Sequence, residues 1–202
     1  IGKINPYLTA QHAVLEATAK IVASGSTPVA LTDCLCFGNP EKPEQMWQFA
    51  ESCKAIKETC SKLHFENNTN LPIVAGNVSF YNQSGKNAIP SSPMIGCFGK
   101  IKDVNLSIKN GLQSEESMLL LLGGFGNKMG GSMVVDLFGV ENNDVCLFSV
   151  TEYSKMLNTL MELINNKAVL SSRVVTGGGL VIALSKMSFM NEVGILSTIG
   201  EE

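Results

Sequence analysis

Two apolar runs of this chain end abruptly in glycine, asparagine and other polar residues, the composition expected where the backbone approaches a polar ligand closely. The first run is Ala30-Leu-Thr-Asp-Cys-Leu-Cys-Phe-Gly-Asn-Pro-Glu-Lys-Pro-Glu44, and the second is Val74-Ala-Gly-Asn-Val-Ser-Phe-Tyr-Asn82. Asp33 is the one carboxylate inside the first apolar stretch, and an acid in such a place needs a hydrogen-bond donor or a cation. In the second run, Gly76 lets the backbone approach a ligand closely, beside the polar side chains of Asn77 and Ser79. Together the two runs predict one polar binding site.

Local turn chemistry is the alternative role for the same residues. Asp33 would then cap the turn that follows it, through Asn39 or the backbone amides of residues 38–40. Asn77 and Ser79 would stabilise the turn at the end of their own strand.

The two runs, followed by Pro93-Met-Ile-Gly-Cys-Phe-Gly99, resemble the synthetase component of phosphoribosylformylglycinamidine synthase, an ATP-dependent amidating enzyme of purine biosynthesis. The family pattern is A-L-T-D-x-L-x-F-G-N-P-E-K-P-E, then G-N-V-S-x-Y-N-E, then P-T-P-V-I-G, in the second half of a long chain. A weaker likeness continues through residues 122–132 and 175–180. Because the family chain is several times longer and this one begins at Ile1, we expect a fragment of that second half. Thiamine-monophosphate kinase and selenophosphate synthetase are related alternatives, disfavoured by the N-P-E-K-P-E and G-N-V-S runs.

The resemblance implies a role for each polar residue of the two runs. Asp33 and Gly76 match positions that contact ATP, Asn77 matches a magnesium ligand, and Ser79 matches a contact to formylglycinamide ribonucleotide. In the family, ATP phosphorylates the amide oxygen of that substrate and ammonia then displaces the phosphate, while Mg²⁺ neutralises the transferring group. The implied partners are this substrate, the remainder of the parent chain, a glutaminase subunit and a small bridging subunit.

No catalytic residue is assigned from the sequence. The catalytic histidines of the family lie in motifs of the first half of its chain, and neither His12 nor His64 lies in such a motif. We expect His12 on a helix surface. The glycine-rich stretch 123–131 is not a P-loop, because Lys128 is followed by Met129 instead of Ser or Thr.

One departure from the family pattern leaves two function classes open. Where the family has Ser-Asp-Gly-Gly-Leu, this chain has Thr176-Gly-Gly-Gly-Leu180, so Gly177 replaces the carboxylate. The glycine amides at a helix start still suit an anion. The chain is then either a catalytic half-site or a degenerate structural repeat that supports assembly and holds a nucleotide without turnover.

Composition excludes several other classes. The net charge is −3 and no Lys/Arg cluster occurs, which argues against a nucleic-acid partner. No apolar run reaches the length of a membrane span. The six cysteines form no Cys-x-x-Cys pair and have no histidine-rich partner, so we expect reduced thiols and a cytoplasmic protein. Cys34 and Cys36 share a strand face, with no third ligand in view, and packed thiols are the favoured interpretation.

The elements that must position the site follow from caps and periodicity. Helices are predicted from Asn5-Pro6 to about 23, from Pro43 onward, over 151–164 and over 178–189, and strands over 29–37, 71–78, 93–104, 118–122, 170–175 and 193–199, with a turn at 82–85. In the helix that starts at Pro43 an apolar stripe faces a core, with Trp47 packing beside it; the stripe is Met46, Phe49, Cys53, Ile56, Cys60 and Leu63.

The expected fold combines α+β and α/β parts, and the resemblance specifies it further. It implies an aminoimidazole ribonucleotide synthetase-like N-terminal α+β domain at 1–105 and an incomplete α/β C-terminal-type domain at 106–202. Because the family pairs its N-terminal domains, we also expect self-association through an exposed apolar sheet surface.

Overall fold

The computed structural model describes residues 1–65, 70–124, 126 and 128–196. Helices and strands are both present, so the mixed α and β fold expected from the sequence is confirmed. In chain order they are α1 (Pro6–Ala23), β1 (Thr27–Cys36), α2 (Pro43–Cys60), β2 (Ile73–Ser79), β3 (Gln83–Ser84), β4 (Asn87–Ala88), β5 (Ser92–Lys100), a 3₁₀ helix (Val104–Leu106), α3 (Met133–Phe138), α4 (Val150–Asn165) and α5 (Gly179–Asn191).

Local signals fix the ends of the first helices. The Asn5 side chain accepts a hydrogen bond from the backbone N–H of Leu8 at 2.9 Å, and Pro6 occupies the first helical position. The chain leaves α1 through Gly25, whose φ of 86° is the left-handed conformation that glycine adopts without strain. Pro43 opens α2 in the same way as Pro6 opens α1.

Three strands form one sheet in the order β2-β1-β5, with β1 parallel to β2 and antiparallel to β5. A bulge interrupts the β1–β2 pairing, because Leu31 pairs with Ile73 but Thr32 pairs with Ala75. Val74 is therefore an extra residue on β2. The strands β3 and β4 form a separate antiparallel hairpin whose turn contains Gly85, close to the turn predicted at 82–85.

The two faces of the sheet differ in what covers them. On the helix face, Leu31 and Leu35 join the main buried cluster with residues of α1 and α2 such as Val14 and Ile56. The other face, called the open face below, contains no buried residue, and two of its large apolar side chains, Met94 and Phe98, are 52% and 54% exposed. It consists of Ala30, Thr32, Cys34, Cys36, Ala75, Asn77, Ser79, Ser92, Met94, Gly96 and Phe98.

The second half of the chain joins the first through α4. Leu157 packs with Ala19 and Val22 of α1 in a second buried cluster, and Val150 belongs to the main cluster. At the far end, Asn191 donates a hydrogen bond to the carbonyl of Leu112 at 2.6 Å. Across the described residues, no helix is long and apolar enough to cross a bilayer.

The strands predicted for this second half are wrong. Residues 118–122 form no strand, and Met118 and Leu120 are 84% and 73% exposed instead of buried. An apolar run specifies a strand only where another strand pairs with its backbone, and the structure describes none beside it. Residues 170–175 contribute only an isolated bridge between Lys109 and Ser171. Residues 193–196 are not a strand, and 197–199 lie outside the described residues.

Two assignments on α2 change as well. Trp47, expected to pack, is 56% exposed, and Met46 at the start of the apolar stripe is 45% exposed. The rest of the stripe behaves as predicted, since Ile56, Cys60 and Leu63 are buried and Phe49 and Cys53 are partly buried against them.

Candidate functional site

Asp33 and Gly76 lie side by side on the helix face of the sheet. They are register partners across the parallel β1–β2 pair. A Cβ atom on residue 76 would collide with the Asp33 carboxylate, so only glycine leaves room for that side chain. The structure thus brings together the two residues for which the family resemblance implies contacts to ATP.

The Asp33 carboxylate has no internal partner. It accepts no hydrogen bond from the described part of the chain, and burial raises its pKa above the ordinary value. Burial, and secondarily the nearby Asp33 charge, raises the pKa of the Cys53 thiol on α2. A partly buried acid without a donor is available to a ligand that carries a donor or a positive charge.

Capping of the following turn by Asp33 is not observed. Asn39 closes that turn itself, because its side-chain oxygen accepts a hydrogen bond from the backbone N–H of Glu41 at 2.9 Å. The backbone carbonyl of Asn39 also accepts from Lys42 at 3.1 Å. The turn is complete without the carboxylate.

Asn77 and Ser79 lie on the opposite face of the sheet from Asp33. Asn77 pairs with Cys34 and Ser79 with Cys36, so both belong to the open face. Asn77 is exposed, and none of the described residues makes a hydrogen bond to its side chain. The four predicted site residues therefore divide into two pairs, one on each side of the sheet.

Ser79 also takes part in the turn that ends β2. The side-chain N–H₂ of Asn82 donates to the Ser79 carbonyl at 2.8 Å, to the Ser79 Oγ at 3.1 Å and to the Phe37 carbonyl at 3.0 Å. The turn role weighed for Ser79 is therefore present. The Ser79 hydroxyl also lies 3.3 Å from the Asn82 Oδ1, to which it donates, so a ligand that takes its proton replaces this long contact.

The two glycine-rich loops have structural roles in the described residues. The Gly130 N–H donates to the carbonyl of Asp144 at 3.0 Å, and Lys128 forms an ion pair with the same Asp144. Ser132 then caps α3, a short helix that the sequence analysis missed. The other loop leads into α5 with Gly178 as its cap, at a φ of 93°.

The sequence analysis expects His12 on an exposed helix surface, but in the structure this residue is partly buried. Its Nε2 lies 3.2 Å from the carbonyl oxygen of Cys146, and its ring packs edge to face on Phe148 at 4.9 Å. Burial lowers its pKa below the ordinary value, although the Cys146 carbonyl opposes that shift. The segment that covers His12 is more than a hundred residues away in the chain, so helical periodicity gave no signal of it.

Comparison with known proteins points to one group of enzymes. Residues 2–101 match the family model described as AIR synthase related protein, N-terminal domain. Subunit PurL of phosphoribosylformylglycinamidine synthase from Methanothrix thermoacetophila is 35% identical over 203 residues, which is 99% of this chain and 26% of that protein. PurL from Sulfurimonas denitrificans is 37% identical over 95% of this chain and 25% of its own.

A solved structure shows the same fold. The structure of T. maritima PurL complexed with FGAR matches 94% of this chain and 30% of its own, with a TM-score of 0.67 and 14% sequence identity. By length, the chain spans about a quarter of the curated relatives that it matches.

Proposed function

Residues 2–101 place this chain in the AIR synthase related family, and from that membership we propose that it contributes to an ATP-dependent amidating enzyme of purine biosynthesis. The reaction converts formylglycinamide ribonucleotide and glutamine-derived ammonia to formylglycinamidine ribonucleotide, with hydrolysis of ATP. PurL relatives that are similar over 95% or more of this chain support the proposal. So do the three motif runs that resemble the synthetase component.

The contact between Asp33 and Gly76 is the observation that carries the proposal. The Asp33 carboxylate accepts no hydrogen bond from the described residues, and Gly76 beside it has no side chain to block a ligand. Such a carboxylate can accept hydrogen bonds from the hydroxyl or amino groups of a nucleotide. In the proposed site Asp33 orients bound ATP, and Gly76 lets the ligand approach the strand. When bound, ATP and Mg²⁺ supply the phosphoryl group and the charge that neutralises it.

Asn77 and Ser79 serve the other side of the same strand. The exposed amide oxygen of Asn77 is a hard ligand suited to Mg²⁺, and Ser79 donates to the phosphate or sugar of formylglycinamide ribonucleotide. Since β2 is one of the two edge strands of the sheet and no described strand pairs with its outer side, ligands on its two faces can meet around that edge. The division of the residues between two faces is thereby compatible with one site built around β2.

The rest of the proposed assembly follows from the resemblance. A glutaminase subunit provides ammonia, a small bridging subunit joins the two, and further synthetase sequence supplies the catalytic histidines. The proposed location is the cytoplasm.

A degenerate structural repeat is the second candidate function. Gly177 favours it, because the carboxylate that the family pattern places there is missing from the loop before α5. In that case the chain supports assembly and holds a nucleotide without turnover.

Two variants distinguish the candidates. In the native protein that contains these residues, Asp33→Ala and Asn77→Ala should each lower kcat/KM for amidation by roughly 30- to 1000-fold, or about 2–4 kcal/mol, since each removes a contact in a phosphoryl-transfer site. The matched controls are Asp136→Ala and Asn110→Ala, two exposed residues away from the sheet. Kinetics within a few-fold of normal for both site variants, with unchanged thermal unfolding, would assign the chain to the structural class.

The 202-residue chain by itself should make no formylglycinamidine ribonucleotide from substrate, ATP and ammonia. Turnover by the purified chain at an ordinary enzymatic rate, about 1 s⁻¹ or more, would refute the half-site proposal.

A further inference from the structure

Tyr81 is held in a backbone conformation that tyrosine rarely adopts. Its φ is 59°, in the left-handed region that glycine enters freely and that costs a bulky residue conformational energy. The neighbouring backbone fixes this conformation, because the Tyr81 N–H donates to the Gly38 carbonyl at 3.0 Å and the Asn82 N–H donates to the Phe37 carbonyl at 3.1 Å. The segment that follows β2 is therefore fastened to the segment that follows β1.

Packing does not explain this conformation, because Tyr81 is 58% exposed. Among the described residues, none forms a hydrogen bond with its hydroxyl or stacks on its ring. The residue before it behaves differently, since Phe80 packs edge to face on Phe49 of α2 with ring centroids 5.1 Å apart. An exposed ring on a strained and well-fastened backbone indicates a contact with a ligand.

Tyr81 also lies where a ligand is expected from the topology of the sheet. Open sheets with parallel strands bind ligands outside the carboxyl ends of those strands, and β1 and β2 are such a parallel pair. The strand β2 ends at Ser79, so the Cα atoms of Ser79 and Tyr81 are at most about 7 Å apart. Because Tyr81 follows the last paired residue of β2, it is not part of the open face. A ligand that accepts a hydrogen bond from the Ser79 hydroxyl is within reach of the Tyr81 ring.

We propose that the ring of Tyr81 packs against the ribose of formylglycinamide ribonucleotide, beside the contact proposed for Ser79. A tyrosine offers an apolar face to the C–H groups of a sugar and a hydroxyl to its polar groups. The proposed ATP contacts, Asp33 and Gly76, lie on the helix face and further from the strand ends, so the substrate is the nearer ligand. This inference rests on the proposed function, since it adds a specificity-determining residue to the substrate site of the same reaction.

Binding of formylglycinamide ribonucleotide to the native protein that contains these residues, measured by titration calorimetry, tests the contact. Tyr81→Gly should weaken binding by about 10- to 100-fold, because it removes the ring that the sugar covers. Tyr81→Phe keeps the ring and should bind within about fivefold of the unaltered protein. In steady-state kinetics, the KM for this substrate should rise with kcat nearly unchanged, because the ring contacts the sugar and not the reacting amide. The KM for ATP should stay the same.

Lys167→Gly is the matched control. Lys167 is exposed and has nearly the same backbone conformation, with a φ of 57°, but it follows the end of α4. Glycine relieves the left-handed conformation in both variants, so the midpoint of thermal unfolding should rise by about 2 °C in each. Only Tyr81→Gly should lose affinity for the substrate.

Three results would each overturn the contact: normal substrate binding by Tyr81→Gly, a rise in the KM for ATP alone, or a fall in the unfolding midpoint that Lys167→Gly does not share. The last of these would show that the ring stabilises the fold. If the unaltered protein binds no formylglycinamide ribonucleotide, the proposed function fails together with this inference. If the unaltered protein and Tyr81→Gly bind it equally well, only the role of Tyr81 is refuted.

Discussion

At the residue scale, the pKa of His12 depends on a segment around Cys146 that is far from it in the chain. In the folded protein burial lowers its pKa, so the ring stays neutral at a pH where the unfolded chain already takes up a proton. The free energy of unfolding should therefore fall as pH drops through the ordinary histidine pKa of about 6.5 toward the lower folded value. Urea unfolding between about pH 7.5 and 5.5 measures this slope.

His12→Gln should flatten that slope, because glutamine keeps a donor for the Cys146 carbonyl but does not titrate. The same dependence on pH in both proteins would show that another group is responsible.

The residue types of the candidate site were predictable, whereas their arrangement was not. An acid inside an apolar run and a Gly-Asn-x-Ser sequence at a strand end both indicate polar contacts, and the structure does place Asp33 against Gly76. Adjacent strand residues point to opposite faces, but which of Gly76 and Asn77 shares a face with Asp33 depends on the pairing register and on the bulge at Val74, neither of which the sequence shows. Nor did it show that Met94 lies beside Cys34, because strand pairing joins residues that are 60 positions apart.

At the element scale, a hydrogen bond between a tyrosine and a glutamate is one of the polar contacts that join the helices α1 and α2. The Tyr7 hydroxyl donates to Glu58 at 2.6 Å, and burial together with this bond raises the pKa of Tyr7 to about 12. Its contribution to stability should be complete below the ordinary tyrosine pKa of about 10 and lost as pH rises toward about 12. Tyr7→Phe should lower the free energy of unfolding at neutral pH by about 1.5 kcal/mol and remove this alkaline loss.

Tyr81→Phe is the control for that measurement. Tyr81 is 58% exposed, and its hydroxyl has no partner in the described part of the chain, so its replacement should leave stability unchanged. Equal unfolding of the two variants would mean that the Tyr7–Glu58 bond adds nothing.

Elements with their own start and stop signals were predicted well. Asn5-Pro6, Gly25 and Pro43 mark the ends of α1 and the start of α2 within the chain itself. Strand predictions failed in the second half because a strand depends on a partner elsewhere, and the leucines at 119–122 have none among the described residues. The short helix α3 begins at the Ser132 cap and buries none of its residues, so no packed face distinguishes its apolar residues from a loop.

At the scale of the whole molecule, the open face predicts self-association. Phe98 and Met94 present apolar surface that no element of the described chain buries, and such a surface favours a second copy or a related domain. Light scattering should show an oligomer for the unaltered chain, and Phe98→Asp should yield a monomer. Val104→Asp is the control, because Val104 is 73% exposed but lies in the 3₁₀ helix outside the sheet. A monomeric unaltered chain at high concentration would contradict this prediction.

Because β2 contains a bulge at Val74, the arrangement of the candidate site depends on the number of residues in this strand more than on the identity of most of its side chains. If β2 paired regularly from Ile73 with Val74 inside the ladder, Ala75 instead of Gly76 would oppose Asp33, and Asn77 would turn from the open face to the helix face. A residue gained or lost between Ala75 and Ser79 would likewise exchange the faces of the residues beyond it. Homologous chains should therefore vary in the side chains of this strand far more freely than in insertions or deletions between residues 73 and 79.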